Sequence, residues 1–523
     1  MVDMREPVPH GRTPLRRLGR VLACLITLAV ALSGAGTIST APAAAQSQRD
    51  RFTFALSGGP DTLDPQATSA TLAFQVNKSL YDTLVEPDDE GKIVPALAES
   101  WTASADALTW TFKLRSGVRF HHGKILDAGD VKATLERILD PATRSPKRGD
   151  FGAIRSIEVV DPLTVRILLA ARFAPFLANL AHGWGAILPA DLIARRHDFA
   201  IRPVGTGPFT VAEWQRDSFI RLARFDGYWV RGQPRLREVL IRFVPERAIK
   251  VAGLLSGEYD AADIIDPLDL PRVRAHPNIS VIRQVTSLIV VLAVNNSRPA
   301  LRDVRVRRAL WHAIDRRQVL RTAYGDESVL SAVFMDVTSP YYVEVPDPYP
   351  FDPERARRLL ADAGYGAGLT LDLALPQPYQ QHIDAGLLIQ GMLARAGITA
   401  RVRVVEWGFW LSRVFRGGEF DLTVIGHTGK LDPDGRLAGY GDPAANYVKY
   451  ENQKVEDLIL AGRITTGPDL RRRIYATALK MMTDDAAMVF LGTPVLYAAT
   501  QGSVREFRQL YAIDTYDFRR TTR

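Results

Sequence analysis

The loop at 426–434 carries the side chains best suited to bind a polar molecule. It reads GHTGKLDPD and follows a nearly continuous apolar strand that we expect over Phe420 to Ile425. In open α/β sheets, ligands bind beyond the carboxyl ends of parallel strands. The alternative interpretation is a solvated connection between a strand and a helix. The loop offers backbone groups, hydroxyls and charges for hydrogen bonds to a ligand, and its candidate binding residues are His427, Thr428, Gly429, Lys430 and Asp432.

The sequence lacks the motifs of the common enzyme classes. No serine stands in a G-x-S-x-G elbow, and no glycine-lysine pair is followed by Ser or Thr, as a phosphate-binding loop requires. His121 and His122 are adjacent, so on a strand they would face opposite ways rather than share a metal ion. We therefore predict that the protein is not an enzyme and has no catalytic residue, no metal site and no cofactor.

The first 45 residues have the order of a secretory signal. Four arginines between residues 12 and 20 precede an apolar run at 21–32, and Ala43-Ala44-Ala45 offers a cleavage site. The run is too short to span a membrane comfortably. The single cysteine, Cys24, lies inside this segment, so a chain cut after Ala45 has no cysteine and no disulfide. The formal net charge of +8 over 523 residues is too small to indicate nucleic-acid binding.

Strand and helix patterns that alternate along the remaining chain indicate an α/β protein. Asp352-Pro353 opens a helix that Gly364 ends, and Leu369 to Leu375 alternates like a strand. Another helix is expected from about Asp303 to Leu320, after an apolar strand that ends at Asn295 and Asn296. Helices that join such strands imply a largely parallel sheet in the second half. The simplest division is two lobes that meet near residue 290.

From Asp61 onward the chain resembles the family 5 extracellular solute-binding proteins, the receptors for dipeptides, oligopeptides and nickel that serve bacterial ABC importers. Matching segments stand in the order of that family over nearly the whole chain after the signal. They are TLDP (62–65), SLYDTLVE (79–86), PALAESW (95–101), WTFKLRSGVRFHHGKILDAGDV (110–131), VGTGPF (204–209), DVRVRRALWHAIDR (303–316) and VEWGFWLSRVFRGGEFDLTVIG (405–426).

The resemblance implies an α/β, two-lobed periplasmic-binding-protein fold (type II, cluster C-like) with an extra subdomain in the first lobe. The expected domains are a signal peptide at 1–45, lobe I at 46–290 and lobe II at 291–496. The subdomain falls at about 81–203, and about 497–523 return to complete lobe I. The function implied is capture of a small polar solute, peptide or peptide-like, between the lobes by hinge closure.

The same resemblance implies the partners and the location. The receptor would deliver its ligand to permease subunits in the inner membrane, which work with a cytoplasmic ATPase. It would act in the periplasm as a monomer, without nucleic acid. Two functions from other classes stay open, namely a secreted hydrolase and a periplasmic chaperone or signalling partner. Peptide, opine-like, sugar and metal-chelate ligands are not separated by the sequence.

Comparison with the peptide receptors of this family raises a question about the ligand. Their loop carries an aspartate that pairs with the α-amino group of a peptide, and the nearest position here is Lys430. A lysine cannot neutralise an ammonium, so an anionic, non-peptide solute is the alternative ligand. Asp432 could replace the missing carboxylate, or it could only shape the turn. Lys430 could also simply point to solvent.

Further candidates lie elsewhere in the chain. Thr68, Ser69 and Thr71 match a polar segment that faces the cleft in the proteins that the chain resembles, with a plain loop before a helix as the alternative. Trp407 could stack on a ligand or belong to the core. His182 and Trp184, in the extension of the first lobe, are additional candidates.

Overall fold

The computed structural model describes residues 50–441, 446–510 and 515–523. The predicted signal segment at 1–45 lies outside these residues. Within the described ranges, no helix combines the length and the apolar character that crossing a lipid bilayer requires.

Strands and helices alternate along the described chain. The strands are β1 (Arg51–Leu56), β2 (Val85–Pro87), β3 (Ile93–Pro95), β4 (Ala98–Ala103), β5 (Thr109–Leu114), β6 (Ile154–Asp161), β7 (Thr164–Leu169), β8 (Phe209–Gln215), β9 (Phe219–Arg224), β10 (Glu238–Phe243), β11 (Ala261–Ala262), β12 (Ile279–Val285), β13 (Ile289–Val294), β14 (Val329–Leu330), β15 (Leu369–Pro376), β16 (Ile398–Val405), β17 (Leu422–His427), β18 (Val489–Thr493), β19 (Val495–Gln501), β20 (Arg508–Leu510) and β21 (Thr515–Asp517).

The helices are named by their bounds. The α-helices are Thr71–Asn77, Ala128–Leu139, Phe176–Leu180, Ala190–Ala194, Arg247–Ser256, Leu270–Arg274, Val304–Ala313, Arg316–Tyr324, Pro353–Asp362, Gln380–Arg395, Trp407–Phe409, Asp434–Leu437, Gln453–Ile464 and Pro468–Asp484. Short 3-10 segments span Pro141–Thr143, Arg148–Phe151, Gly183–Gly185 and Ala438–Gly441, and Trp410–Arg416 is π-helical.

The three larger sheets define two lobes and a subdomain. The lobe I sheet has the strand order β12-β19-β11-β1-β10-β9-β8, and the lobe II sheet has the order β14-β18-β13-β17-β15-β16. The subdomain sheet, β4-β5-β7-β6, is antiparallel and packs against helix Ala128–Leu139. Each of the three has its own cluster of buried apolar side chains, so each is a separate packing unit. The molecule is thus a two-lobed α/β fold with an extra subdomain.

The chain passes between the two large sheets at two adjacent points. Residues 286–288 lead from β12 in lobe I to β13 in lobe II, and Pro494 leads from β18 back to β19. The backbone N–H and the hydroxyl of Thr286 both donate to the carbonyl of Pro494, over 3.3 and 2.9 Å. The predicted lobe boundaries at residues 290 and 496 stand beside these crossings, and the division into domains stays a prediction. The two crossings form one hydrogen-bonded hinge.

Local signals in the sequence account for several elements of lobe II. The side chain of Asp352 accepts a hydrogen bond from the Arg355 N–H over 2.8 Å, and Pro353 opens the helix, which confirms the predicted start. Gly364, beyond the end of this helix, has φ of +91°, a conformation that favours glycine. Every residue of β13 is buried, as its uninterrupted apolar sequence indicates.

Two predictions about lobe II were wrong in part. The sheet is mixed rather than largely parallel: β15 is parallel to β16 and β17, but β13 is antiparallel to β17 and β18. β13 is antiparallel to its neighbours because the chain enters it directly from lobe I, and not through a helix that crosses over the lobe II sheet. The helix expected from Asp303 to Leu320 is two helices, since the Asp315 carboxylate accepts from the Gln318 N–H over 3.0 Å and starts a second helix.

Candidate functional site

A cavity of about 40 Å³ lies between the two lobes. Lobe I contributes helix Thr71–Asn77 and its flanks, together with Thr515 at the start of β21. The subdomain contributes residues 181–184 and 186, and lobe II contributes Thr428, Gly429 and Lys430 from the loop after β17. A cavity of this size has room for roughly three water molecules. The cavity as it stands is therefore too small for a solute larger than a few water molecules.

The loop after β17 contacts both the opposite lobe and the hinge. The hydroxyls of Thr428 and Thr71 are 2.9 Å apart and form a hydrogen bond across the cavity. Gly429 passes so close to the hinge that a Cβ at this position would lie 2.1 Å from the Cβ of Ser287. Any larger residue would therefore push the loop away from the hinge, which explains the glycine.

Arg436 also connects the same loop to the hinge. Its guanidinium donates to the carbonyl of His427 at the start of the loop and to the carbonyl of Ser287 in the hinge, each over 2.9 Å. The charge is balanced by Asp336, also 2.9 Å away. The side chains of Arg436 and Asp336 are both buried. The loop that carries Lys430 is thus hydrogen-bonded through Arg436 to the hinge residue Ser287.

The ammonium of Lys430 lies over the indole of Trp184, 4.6 Å from the ring centroid. The ammonium of Lys147 lies 4.7 Å from the same ring, and the imidazole of His182 stacks on the indole at 4.2 Å. Lys147 has a carboxylate partner, Asp150, at 3.3 Å. In the described part of the chain, no carboxylate lies within 4 Å of Lys430. Protonated Lys430 therefore has no direct ion-pair partner among the described residues, and the carboxylate of Asp150 is the acidic group that acts on its charge.

Burial and neighbouring charge both act on the titratable groups around Trp184. Burial and, to a smaller extent, the positive charge of Lys147 lower the pKa of Lys430 to about 7, and Asp150 opposes the shift. Burial also lowers the pKa of His182 well below its ordinary value, and the two lysines act in the same direction. His182 is therefore neutral, and its Nε2 accepts a hydrogen bond from the Leu431 N–H over 3.4 Å. An anion in the cavity would favour the protonated form of Lys430.

Asp432 does not line the cavity. Its two carboxylate oxygens accept from the guanidinium of Arg471, over 2.5 and 2.6 Å, and both side chains are buried. Asp434 is likewise held by Arg463 at 3.0 Å, while burial raises its pKa to about 6. The two acids of the loop thus attach it to helices Gln453–Ile464 and Pro468–Asp484.

Three other candidates also lie outside the lining of the cavity. Thr68 donates to Asp61 and accepts from the Ala70 N–H, so its hydroxyl shapes the turn before a helix. His427 hydrogen-bonds to the Tyr447 hydroxyl over 2.8 Å. Trp407 stacks on Trp410 at 5.2 Å among the side chains that pack on the lobe II core.

The structure places more residues around the cavity than the sequence analysis predicted. It places seven of the candidates at one cavity, namely Ser69, Thr71, His182, Trp184, Thr428, Gly429 and Lys430. Sequence analysis missed Asn77, Lys147 and Thr515. Asn77 had one detectable signal, because it is a polar residue beside the apolar Val76 in the helix sequence TLAFQVN. Lys147 and Thr515 lie far from the loop in sequence and carried no such signal.

Comparison with known proteins places the chain in a family. The family model for bacterial extracellular solute-binding proteins, family 5 (Middle), matches residues 92–447. The glutathione-binding protein GsiB of Escherichia coli O1:K1 / APEC is 30% identical over 458 residues, which cover 85% of this chain and 89% of that protein.

Two solved structures are similar along nearly the whole chain. The periplasmic binding protein DppA of Helicobacter pylori, in complex with the peptide STSA, has a TM-score of 0.83 and 27% identity, covering 90% of this chain and 99% of that one. The periplasmic binding protein AgaA of A. tumefaciens R10, in complex with agropinic acid, has a TM-score of 0.80 and 29% identity, covering 89% and 98%. With a family match over more than half of its length, the chain belongs to family 5 of the bacterial extracellular solute-binding proteins, which are periplasmic receptors of ABC importers and not enzymes.

Proposed function

We propose that this receptor captures a small acidic solute between its lobes and delivers it to the permease of an ABC importer. The observation that carries the proposal is the ammonium of Lys430, which lies in the cavity with no carboxylate within reach in the described ranges. Transfer of a charge from water into a protein is costly unless a partner compensates. A carboxylate, phosphate or other anionic group on the ligand would supply that partner.

The surroundings of Asp432 weigh against a peptide bound through its free amino group. An amine would need an unpaired carboxylate in the cavity, and both oxygens of Asp432 are bound to Arg471. Two of the three relatives described above point in the same direction, since glutathione and agropinic acid are both acids. An acidic peptide held through a carboxylate fits this site as well as a non-peptide acid does.

The proposed mechanism is closure about the hinge at 286–288 and Pro494. The ligand stabilises the closed form because Lys430 approaches it from lobe II while Thr71 and Trp184 approach it from the other side. Arg436 and Gly429 couple the hinge to the loop of Lys430, so the loop follows the movement. The closed receptor then docks on the permease, in the periplasm and as a monomer.

A thermal-shift screen of the refolded protein tests the proposal. Unfolding and refolding removes any ligand that was carried through purification. The panel holds acidic peptides, sugar-derived acids, neutral sugars and peptides with a free amino group but no acidic side chain. We expect only the acidic compounds to stabilise the protein, by about 2.7 kcal/mol at a hundred times the dissociation constant.

Lys430→Met identifies the residue that is responsible. We expect it to weaken the best acidic ligand by tenfold or more, because the anion loses its only unpaired cation in the described cavity. Lys454→Met, a change of an exposed lysine on lobe II, is the matched control and should bind as the unchanged protein does. Strong binding of neutral or amine-bearing solutes, or unchanged affinity of Lys430→Met, would contradict the proposal.

A further inference from the structure

Three deeply buried side chains on the cavity wall have polar atoms without a hydrogen-bond partner in the described part of the chain. These atoms are both the oxygen and the nitrogen of the Asn77 amide, Nε1 of the Trp184 indole and Oγ1 of Thr515. The exposed fractions of the three residues are 2, 2 and 3%. All three residues line the cavity between the lobes.

Such a concentration of unpaired polar atoms requires an explanation. The great majority of buried polar groups in native proteins have a partner, because each one left without a partner lowers stability. The three residues also come from separate parts of the fold. Asn77 ends helix Thr71–Asn77, Thr515 opens β21 against which this helix packs, and Trp184 lies in a 3-10 turn of the subdomain. Three separate elements thus place residues with unpaired polar atoms around one cavity.

The chemistry of these atoms defines what they can bind. Asn77 offers two N–H donors and one acceptor, Trp184 offers one donor, and Thr515 offers a hydroxyl that can donate or accept. None of the three carries a charge. Lys78, which also lines this wall, is already paired with Glu86 at 2.6 Å. Because the Asn77 oxygen requires a donor, an uncharged group with both a donor and an acceptor, such as an amide or a hydroxyl, complements these atoms better than a carboxylate does.

We propose that Asn77, Trp184 and Thr515 form a neutral subsite that binds an amide or hydroxyl group of the solute. The inference rests on the proposed function for the acidic part of the ligand, which Lys430 holds. It adds three specificity-determining residues and a second chemical requirement. The solute of this receptor is an acid that also carries an uncharged hydrogen-bonding group. Its acidic group binds Lys430, and its uncharged group binds the neutral subsite.

The test compares small acids that differ only in the group offered to the neutral subsite. Succinamate presents an amide, 4-hydroxybutyrate presents a hydroxyl, and valerate presents a methyl group at the corresponding place. Thermal shifts are measured with each acid at the same millimolar concentration. We expect stabilisation by succinamate or by 4-hydroxybutyrate to exceed that by valerate, and the stronger of the two identifies the group.

Asn77→Leu and Gln75→Met separate the subsite from general effects on the helix. Asn77→Leu should bind the preferred acid about tenfold more weakly and should bind valerate with unchanged affinity. Gln75 lies on the same helix, is also buried and also has an unpartnered oxygen, but it does not line the cavity. Gln75→Met should therefore leave every affinity unchanged. The ligand-free Asn77→Leu protein should melt no lower than the unchanged protein, because unpaired buried polar atoms have been removed.

Several outcomes would overturn the subsite. Equal stabilisation by all three acids, or a loss in Asn77→Leu that includes valerate, would each do so while leaving the role of Lys430 intact. If none of the three acids stabilises the protein, both the subsite and the acidic ligand are contradicted. If butyramide, a neutral amide, binds better than succinamate, the subsite holds and the acidic ligand is wrong. Should Asn77→Leu fail to fold, Thr515→Val tests the same group of atoms.

Discussion

At the scale of single residues, Lys430 and Asp432 show how two charges of one loop acquire opposite roles. Asp432 is neutralised inside its own lobe by Arg471, with two short hydrogen bonds. Lys430 is instead directed across the cavity to the indole of Trp184, where an aromatic face gives a weak attraction and no counter-charge. The first charge supports the fold of the loop, and the second is free for a ligand.

The pKa of Lys430 leads to a prediction for the pH dependence of binding. In the ligand-free protein this pKa lies at about 7, and a bound anion raises it. Binding therefore takes up protons above pH 7. Affinity for an acidic ligand should be full below about pH 7 and should fall by up to about tenfold per pH unit above it. His182 does not interfere, because its pKa is shifted far below this range.

Isothermal titration calorimetry in buffers of different ionisation enthalpy measures this proton uptake directly. Lys430→Met is the control and should bind with an affinity that does not change between pH 6 and 9 apart from effects of the ligand itself. A flat profile in the unchanged protein would show that Lys430 does not bind the anion.

Sequence patterns identified part of this site and missed the rest for a physical reason. The rule that ligands bind beyond strand ends found Thr428, Gly429 and Lys430, because it depends only on a strand and the loop that follows it. The same rule selected Asp432, whose partner Arg471 lies 39 residues further along the chain, on helix Pro468–Asp484. Whether a charge is used within the fold depends on such distant partners, and local spacing does not contain them.

At the scale of elements, the loop after β17 is fixed at both ends. Arg436 holds its start to the hinge, and Asp432 holds its end to helix Pro468–Asp484. Lys430 lies between these two anchors. The position of its ammonium is therefore set by buried ion pairs that do not themselves touch the cavity.

Asp432→Ala should destabilise the protein strongly. The guanidinium of Arg471 would stay buried without its carboxylate, and the loss of one partner from a buried ion pair costs about 3–5 kcal/mol. Asp469 is a matched control, because it lies on the helix that carries Arg471 and pairs with Arg472 at 3.6 Å, but its side chain is 84% exposed. Asp469→Ala should change stability by less than about 0.5 kcal/mol. Urea denaturation measures both, and equal effects of the two changes would show that the buried pair has no special role.

The elements themselves were predicted well where their signals are local. The helix after Asp352 and the buried strand β13 follow directly from a capping residue and from an apolar run. The helix expected from Asp303 to Leu320 was divided by Asp315, a capping residue hidden inside an amphipathic pattern. The mixed pairing of β13 depends on the passage of the chain between lobes, which a pattern of apolar residues does not reveal.

At the scale of the whole molecule, a small number of polar contacts among the described residues cross the cavity. They are the hydrogen bond between Thr71 and Thr428, the hydrogen bond from the Leu431 N–H to His182 and the contact between Lys430 and Trp184. These contacts contribute little, because one hydrogen bond contributes only about 1 kcal/mol net and the Lys430 ammonium has no carboxylate within 4 Å in the described ranges. In the proposed mechanism, the ligand therefore supplies most of the energy of closure.

Thr428→Val should therefore shift the ligand-free receptor toward its open form. We expect a larger radius of gyration in small-angle X-ray scattering and an affinity reduced by up to about tenfold, because closure then costs more. Thr477→Val changes an exposed threonine of helix Pro468–Asp484 and should alter neither quantity. If both variants scatter as the unchanged protein does, with and without ligand, the contact across the cavity does not influence closure.

The crossing at Pro494 also determines the order in which the two lobes can be completed when the chain folds from its first residues onward. The strands of lobe II, from β13 to β18, are all present in a chain that reaches residue 493. β19 belongs inside the lobe I sheet, between β12 and β11, and pairs with both. Without residues 495–501, the first sheet is divided and has open strand edges beside a second lobe whose strands are complete. Lobe I, which begins first along the chain, is therefore the lobe that is completed last.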